Sequence, residues 1–371
     1  MPGGAAAGAR YDARMPRPDV LVIGAGVVGA SVAYHLAARG CRNVRVVDRA
    51  PQPGAGSTGR ATGGFRTQFG SAINIRLSLL AREKLLRFEE ETGVDPGYRQ
   101  HGYLFLARSA ETLAVLRQAQ TLQHACGVTE ARTIDAAAAR ELNPAIEDEA
   151  LVGGTFCPTD GFLRPLNVLR GYAQAAQRLG VRFDFGVEVT SIDNGAAGAI
   201  VNAAGAWAAP LGAPVTPLRR NVACTVATDL LPESMPMTIW ADDGFHTRVR
   251  DGRVLLLWPD SPPIDDEAWH ARIEQFTRER LPSLRGIAID RANCWSGLYE
   301  MSPDRHAIVG RWRDNVYLAN GSSGHGVMHA PAIGHLVAET ILDGRATTLD
   351  ITELRPQRFE EGAAIASPTL L

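Results

Sequence analysis

From Asp19 to Gly29 the chain reads DVLVIGAGVVG: a short apolar run enters a glycine-rich turn. The following ASVAYHLAARG spaces its apolar residues helically up to Gly40, where a C-cap glycine is expected. Val44 to Asp48 (VRVVD) is a second β-rich run ending in an acid, which closes a β-α-β unit inside about 30 residues. A loop dense in Gly, Ser and Thr follows (PQPGAGSTGRATGGF), then a helical pattern from about Ala72 to Thr92. Tyr103 to Ala107 reads as a strand, Ala110 to Cys126 as an amphipathic helix and Leu166 to Leu179 as another helix. Val181 to Ile192 is strand-like, and AIVNAAGAWA from Ala199 is an apolar strand entering a second glycine turn. From about Pro214 to Pro259 apolar and polar residues alternate, the pattern of antiparallel strands, and Glu267 to Leu281 is helical. The chain closes with a strand, a glycine loop and a helix in NVYLANGSSGHGVMHAPAIGHLVAETIL.

Nucleotide-binding character therefore recurs at the start, middle and end, with antiparallel material between. The expected fold is α/β: a discontinuous Rossmann-type domain with a mostly parallel sheet, plus a substrate domain built on an antiparallel sheet. The first takes residues 19–96, 150–212 and 296–361, the second 97–149 and 213–295, with a disordered leader over 1–18 and a frayed tail over 362–371. The length of 371 residues suits two lobes.

Composition narrows the function. A net charge of −2 attracts neither nucleic acid nor an anionic membrane, and no apolar run approaches the ~20 residues of a membrane span. The five cysteines are scattered and form no Cys-x-x-Cys pair, which points away from zinc and disulfides and toward a reducing, cytoplasmic setting. The opening MPGGAAAGARYDARMPRP lacks the apolar core of a secretory signal, and Met15 is a candidate start. Lys84 is the only lysine, so any active-site cation is Arg or His.

Gly24-Ala25-Gly26-Val27-Val28-Gly29 is a G-x-G-x-x-G fingerprint. The first glycine permits the tight turn, the second lets backbone approach a pyrophosphate, and the third lets helix pack on strand. The free N–H groups at the helix start, beside Val28, suit an anion. Asp48 is placed to accept from ribose hydroxyls and disfavours a 2′-phosphate, with Arg49 next to it.

Five blocks appear in order: the fingerprint with Asp48, Ser57 to Gly70 (STGRATGGFRTQFG), Val201 to Trp207 (VNAAGAW), Gly297 to His306 (GLYEMSPDRH) and Gly321 to Met328 (GSSGHGVM). Together they resemble the D-amino-acid oxidase superfamily, and within it the branch of sarcosine oxidases, dimethylglycine dehydrogenases and archaeal-type proline dehydrogenases. The resemblance spans about residues 19 to 361. It implies FAD as cofactor, with Ser57, Thr58 and Arg60 along the ribityl and flavin, Val189 at the adenine, and Ala204, Gly205 and Trp207 in the second glycine turn. It places Gly324, His325 and Gly326 under the flavin pyrimidine, ahead of a helix starting near Val327 whose positive end faces the charge of a reduced flavin. Arg66 stands where sarcosine oxidases hold the substrate carboxylate, a contact that a guanidinium makes bidentately. His246, Tyr299 and His325 are further pocket candidates, and His306 reads as structural.

Departures from the family matter equally. Gly297, Arg60 and Pro165 occupy the positions of three covalent flavin tethers, so FAD is expected to be non-covalent. Met328 replaces one family lysine that assists the carboxylate, and Leu255 replaces another that activates oxygen. The resemblance thus implies oxidation of a small secondary or tertiary amino acid (sarcosine, dimethylglycine or proline-like). Hydride passes to flavin N5, giving an imine that hydrolyses, and a dehydrogenase with a separate electron acceptor or partner subunit is favoured over an oxidase. A non-catalytic flavoprotein acting as an assembly factor or structural subunit is the alternative. The meander usual before the VNAAG strand is shortened to Asn194–Gly198.

Overall fold

The computed structural model describes residues 9–10 and 17–366. A six-stranded sheet runs in the order Ile308–Arg313, Val316–Asn320, Ala199–Asn202, Val20–Ile23, Val44–Asp48, Arg182–Phe185. Its strands pair in parallel except for the Ile308–Arg313 hairpin arm at one edge. VLVI over Val20–Ile23 is buried on both faces, as a central parallel strand requires. The helix Val27–Ala38 is apolar all round because it too is enclosed, within the core shared by helices Ala72–Leu86, Pro165–Arg178 and Gly326–Leu342. Its crossing with the last helix is close: a Cβ on Gly334 would lie 2.2 Å from the Ser31 hydroxyl.

The second sheet has eight strands, in the order Trp295–Met301, Thr216–Cys224, Arg253–Leu257, His246–Arg250, Met237–Trp240, Tyr103–Ala107, Gly153–Cys157, Arg132–Ile134. All its pairings are antiparallel except that of Met237–Trp240 with Tyr103–Ala107. One face packs on helix Asp266–Arg280 through Trp240, Phe245, Trp269, Ile273 and Phe276. The other carries Tyr103, Phe105, His246 and Arg248 toward the six-stranded half.

Several expected elements differ in detail. The helix over Ala72–Thr92 breaks at Arg87 into Ala72–Leu86 and Phe88–Thr92. The strand over Val181–Ile192 breaks at Gly186, which turns at φ +73° and donates its N–H to Ala50 O. The glycine-rich loop after Asp48 contains a helical turn, Ser57–Arg60. No strand lies between Glu188 and Ala199, in keeping with the shortened meander. The leader expected over 1–18 falls largely outside the described residues, although Ala9 and Arg10 pair in parallel with Val187 and Glu188. The tail is described to residue 366, and Ile365 N donates to Asp304 at 3.1 Å.

Candidate active site and cofactor channel

A channel of about 630 Å³ runs from Val187 and Val189, past the first glycine turn, to Tyr299 and the Gly324–Val327 loop. The glycines shape it by what their absent side chains permit. Gly24 turns at φ +107°, and a Cβ there would lie 2.3 Å from Ala203 O. A Cβ on Gly29 would lie 1.9 Å from Gly24 O, so the helix could not seat against the strand. The start of that helix is fixed from across the channel, where Thr58 Oγ1 accepts from Val27 N at 3.1 Å. Asp48 accepts from Ala25 N and from Ala50 N, both at 2.7 Å. Its carboxylate thereby ties the second strand to the glycine turn.

Of the residues expected at a cofactor, Gly24, Gly26, Val28, Asp48, Arg49, Ser57, Thr58, Arg60, Val189, Ala204, Gly205, Trp207, Gly297, Gly324, Gly326 and Val327 border the channel. Gly29 lies behind it, in the helix–strand contact. Met328 turns into the core around the first helix and does not border the channel. Gly324 is at φ +96° with the Tyr299 ring 2.5 Å from where a Cβ would be, so only glycine lets that loop pass the ring. Tyr299, 37% exposed, borders the channel, and burial raises its pKa.

Arg66 is 3% exposed. Its guanidinium lies 4.3 Å from the Phe69 ring and 5.3 Å from Phe105, and donates to Gln68 O at 3.3 Å. Nη2 is 3.2 Å from His325 Nε2. A guanidinium only donates, so His325 accepts and is neutral; burial, and then the Arg66 charge, hold its pKa well below the ordinary histidine value. His246 Nδ1 faces Gly244 O at 2.8 Å. A carbonyl only accepts, so that nitrogen carries the proton and Nε2 keeps a lone pair; burial lowers the pKa to about 4. Arg66, His325, Tyr299 and His246 therefore come together from four separate segments.

Further residues support this wall. Asp160, fully buried, accepts from Thr67 N and Thr67 Oγ1, both at 2.7 Å, and from Gln68 Nε2 at 3.3 Å, pinning the segment that carries Arg66. Burial pushes its pKa up to about 6, against those hydrogen bonds. Leu255 is buried and registers directly opposite Arg248. Arg248 stacks 3.7 Å from the Phe162 ring and donates to Thr62 O at 2.7 Å. His306 is held by Asp304 O and Ser71 Oγ, both structural contacts. Lys84 lies away from the channel, among Glu83, Glu91 and Glu339.

A family model described as FAD dependent oxidoreductase matches residues 19–340. The chain belongs to this family. Dimethylglycine dehydrogenase of Rattus norvegicus is 29% identical over 398 residues, which cover 92% of this chain and 45% of that protein. The chain thus spans less than half the length of that relative. Monomeric sarcosine oxidase of Streptomyces avermitilis is 28% identical over 94% of this chain and 100% of its own length. Among solved structures, L-proline dehydrogenase from P. horikoshii superposes with a TM-score of 0.85 at 27% identity, covering 93% of this chain and 98% of that one.

The protein is accordingly an FAD-dependent oxidoreductase, and the channel fits the cofactor. Backbone approaches closely at Gly24, the first helix offers its N-terminus, and an acid ends the second strand. Among the described residues, no His/Cys/Asp/Glu group could hold a metal ion. No described helix is long and apolar enough to cross a membrane.

Proposed function

We propose that this oxidoreductase oxidises a small secondary or tertiary amino acid, of the sarcosine, dimethylglycine or proline-like class, to an imine that water then hydrolyses. The observation that carries this reading is the buried Arg66 guanidinium, aimed by Phe69, Gln68 and His325 into one wall with Tyr299 and His246. A guanidinium there matches a carboxylate, and holding that group fixes the adjoining C–H bond for transfer. The relatives named for dimethylglycine, sarcosine and proline support the substrate class. FAD supplies the two-electron acceptor. His246 Nε2, unprotonated, offers a hydrogen-bond acceptor to an N–H of the substrate amine.

FAD is held without a covalent bond in this reading, because Gly297 has no nucleophile and, among the described residues, neither cysteine nor histidine borders the channel. A dehydrogenase is favoured because Leu255 is apolar and Lys84 is remote. The test is anaerobic mixing of the yellow protein with a panel of carboxylated secondary and tertiary amines. Bleaching of the visible flavin band is expected, together with complete release of FAD on denaturation. FAD binding with no bleaching by any member would favour the assembly-factor reading.

A further inference from the structure

Beside the channel lies a second recess of about 190 Å³, lined in part by Arg60, Trp207, Arg219, Ser296 and Gly297. It straddles the edge strand Trp295–Met301 of the eight-stranded sheet and shares seven of its nine lining residues with the channel, only Arg219 and Ser296 being its own. Its place along the cofactor follows from the channel's polarity. The pyrophosphate belongs at the glycine turn and the adenosine toward Asp48 and Val189, which leaves the opposite end, at Gly297 and Tyr299, for the flavin ring. The recess therefore opens beside the redox end of the cofactor. Arg219 and Ser296 border the recess and not the channel.

The chemistry of the recess is cationic and aromatic. Arg219, 55% exposed at the side chain, is steadied by Asp266 at 3.0 Å and keeps further N–H donors, since a guanidinium has five. Arg60 lines the same recess. Trp207 is 37% exposed, with the Arg49 guanidinium 4.3 Å from its ring. Arginines on an aromatic wall select a planar molecule bearing a negative charge.

We infer that this recess is the docking site of the electron acceptor, and that the acceptor is a planar aromatic oxidant carrying an anionic group, of the quinone sulfonate or carboxylate class. The inference rests on the oxidoreductase reading above. The acceptor gains two electrons and two protons, quinone to hydroquinone. The electrons and one proton come from the reduced cofactor, and the second proton comes from solvent. Arg219 attracts and orients the anion and takes no part in bond making.

The experiment reduces the FAD-loaded protein with dithionite, so that it does not depend on which amine is the substrate. The reduced protein is then mixed anaerobically with 1,4-naphthoquinone-2-sulfonate or with neutral 1,4-naphthoquinone in a stopped-flow spectrometer. For Arg219→Glu the second-order rate constant with the sulfonate should fall on the order of tenfold or more, with a weakened salt dependence, while that with the neutral quinone changes less than about twofold. Arg219→Lys should recover most of the sulfonate rate, and FAD affinity should equal that of the parent in both variants. Equal changes for the two quinones, or none for either, would overturn the proposal. So would loss of FAD from Arg219→Glu, which would assign the recess to cofactor binding. Failure of every amine to bleach the flavin would count against the proposed function and leave this result intact.

Discussion

The two walls of the redox site are built in different ways. The cofactor wall is made by backbone: Gly24 and Gly29 allow approaches that any Cβ would block, and Asp48, Thr58 and the helix start act within one contiguous unit. The wall proposed to hold the substrate is made by side chains brought from distant segments. Arg66 follows the short strand Gly64–Phe65, His246 and Arg248 come from the eight-stranded sheet, and Tyr299 and His325 come from the closing segments. Gly24 and Gly29 should therefore tolerate no added atom, whereas the proposed substrate wall should tolerate substitution with losses confined to one class of ligand.

The largest effect is expected in the cofactor wall. Gly29→Val places a Cβ 1.9 Å from Gly24 O, with both atoms on backbone that cannot swing aside. We expect loss of FAD binding and destabilisation exceeding about 4 kcal/mol, measured by flavin content after gel filtration and by denaturant titration. A yellow variant of parental stability would show that the turn is not held as described.

Asp160 gives the next effect, through pH. Its folded pKa of about 6 lies above the ordinary 3.8, so the fold favours the neutral acid. That stabilisation is fully present below about pH 4 and is lost as pH rises through about 6. At about 1.4 kcal/mol per pH unit between those limits, stability relative to Asp160→Asn should decline by up to roughly 3 kcal/mol between pH 4 and 7. A flat difference over that range would show that the fold does not raise the Asp160 pKa.

Oxygen gives a smaller contrast. Leu255 is apolar, and Arg248, registered opposite it, is committed to Thr62 O and the Phe162 ring. Reoxidation of the reduced enzyme in air should be slower than with an artificial quinone by on the order of 100-fold. Matching rates would assign the missing charge to Arg248, and Arg248→Met would then slow the oxygen reaction alone.

The contrast also explains what was legible in the sequence. The glycine-turn part of the cofactor wall is local: a strand, a glycine turn, a helix and an acid within one short unit, with the glycines at fixed offsets and a mechanism for each. The strand Tyr103–Ala107 was equally plain, since all five positions are apolar and buried. The strand Gly153–Cys157 carries no such signal. Its glycines read as a loop, yet a Cβ on Gly154 would lie 2.0 Å from Phe105 O, so the glycine serves strand pairing. The supporting role of Asp160 was equally hidden, because its partners Thr67 and Gln68 lie more than ninety positions away. The burial of Arg248 gave no signal either: with all but one of 38 basic residues being arginine, a buried guanidinium looks like a surface one until the sheet register is known.

The central claim is that Arg66 holds a substrate carboxylate, and Arg66→Ala tests it most directly. The reductive half-reaction is followed anaerobically as flavin bleaching, with a carboxylated secondary amine and with the same amine lacking the carboxylate. Removing a charge-assisted bidentate contact should lower the apparent second-order rate constant for the carboxylated amine by roughly 30- to 1000-fold, or about 2–4 kcal/mol, with FAD still bound and the uncarboxylated amine much less affected. An equal loss on both amines would contradict the account and make Arg66 a support for the fold or the flavin.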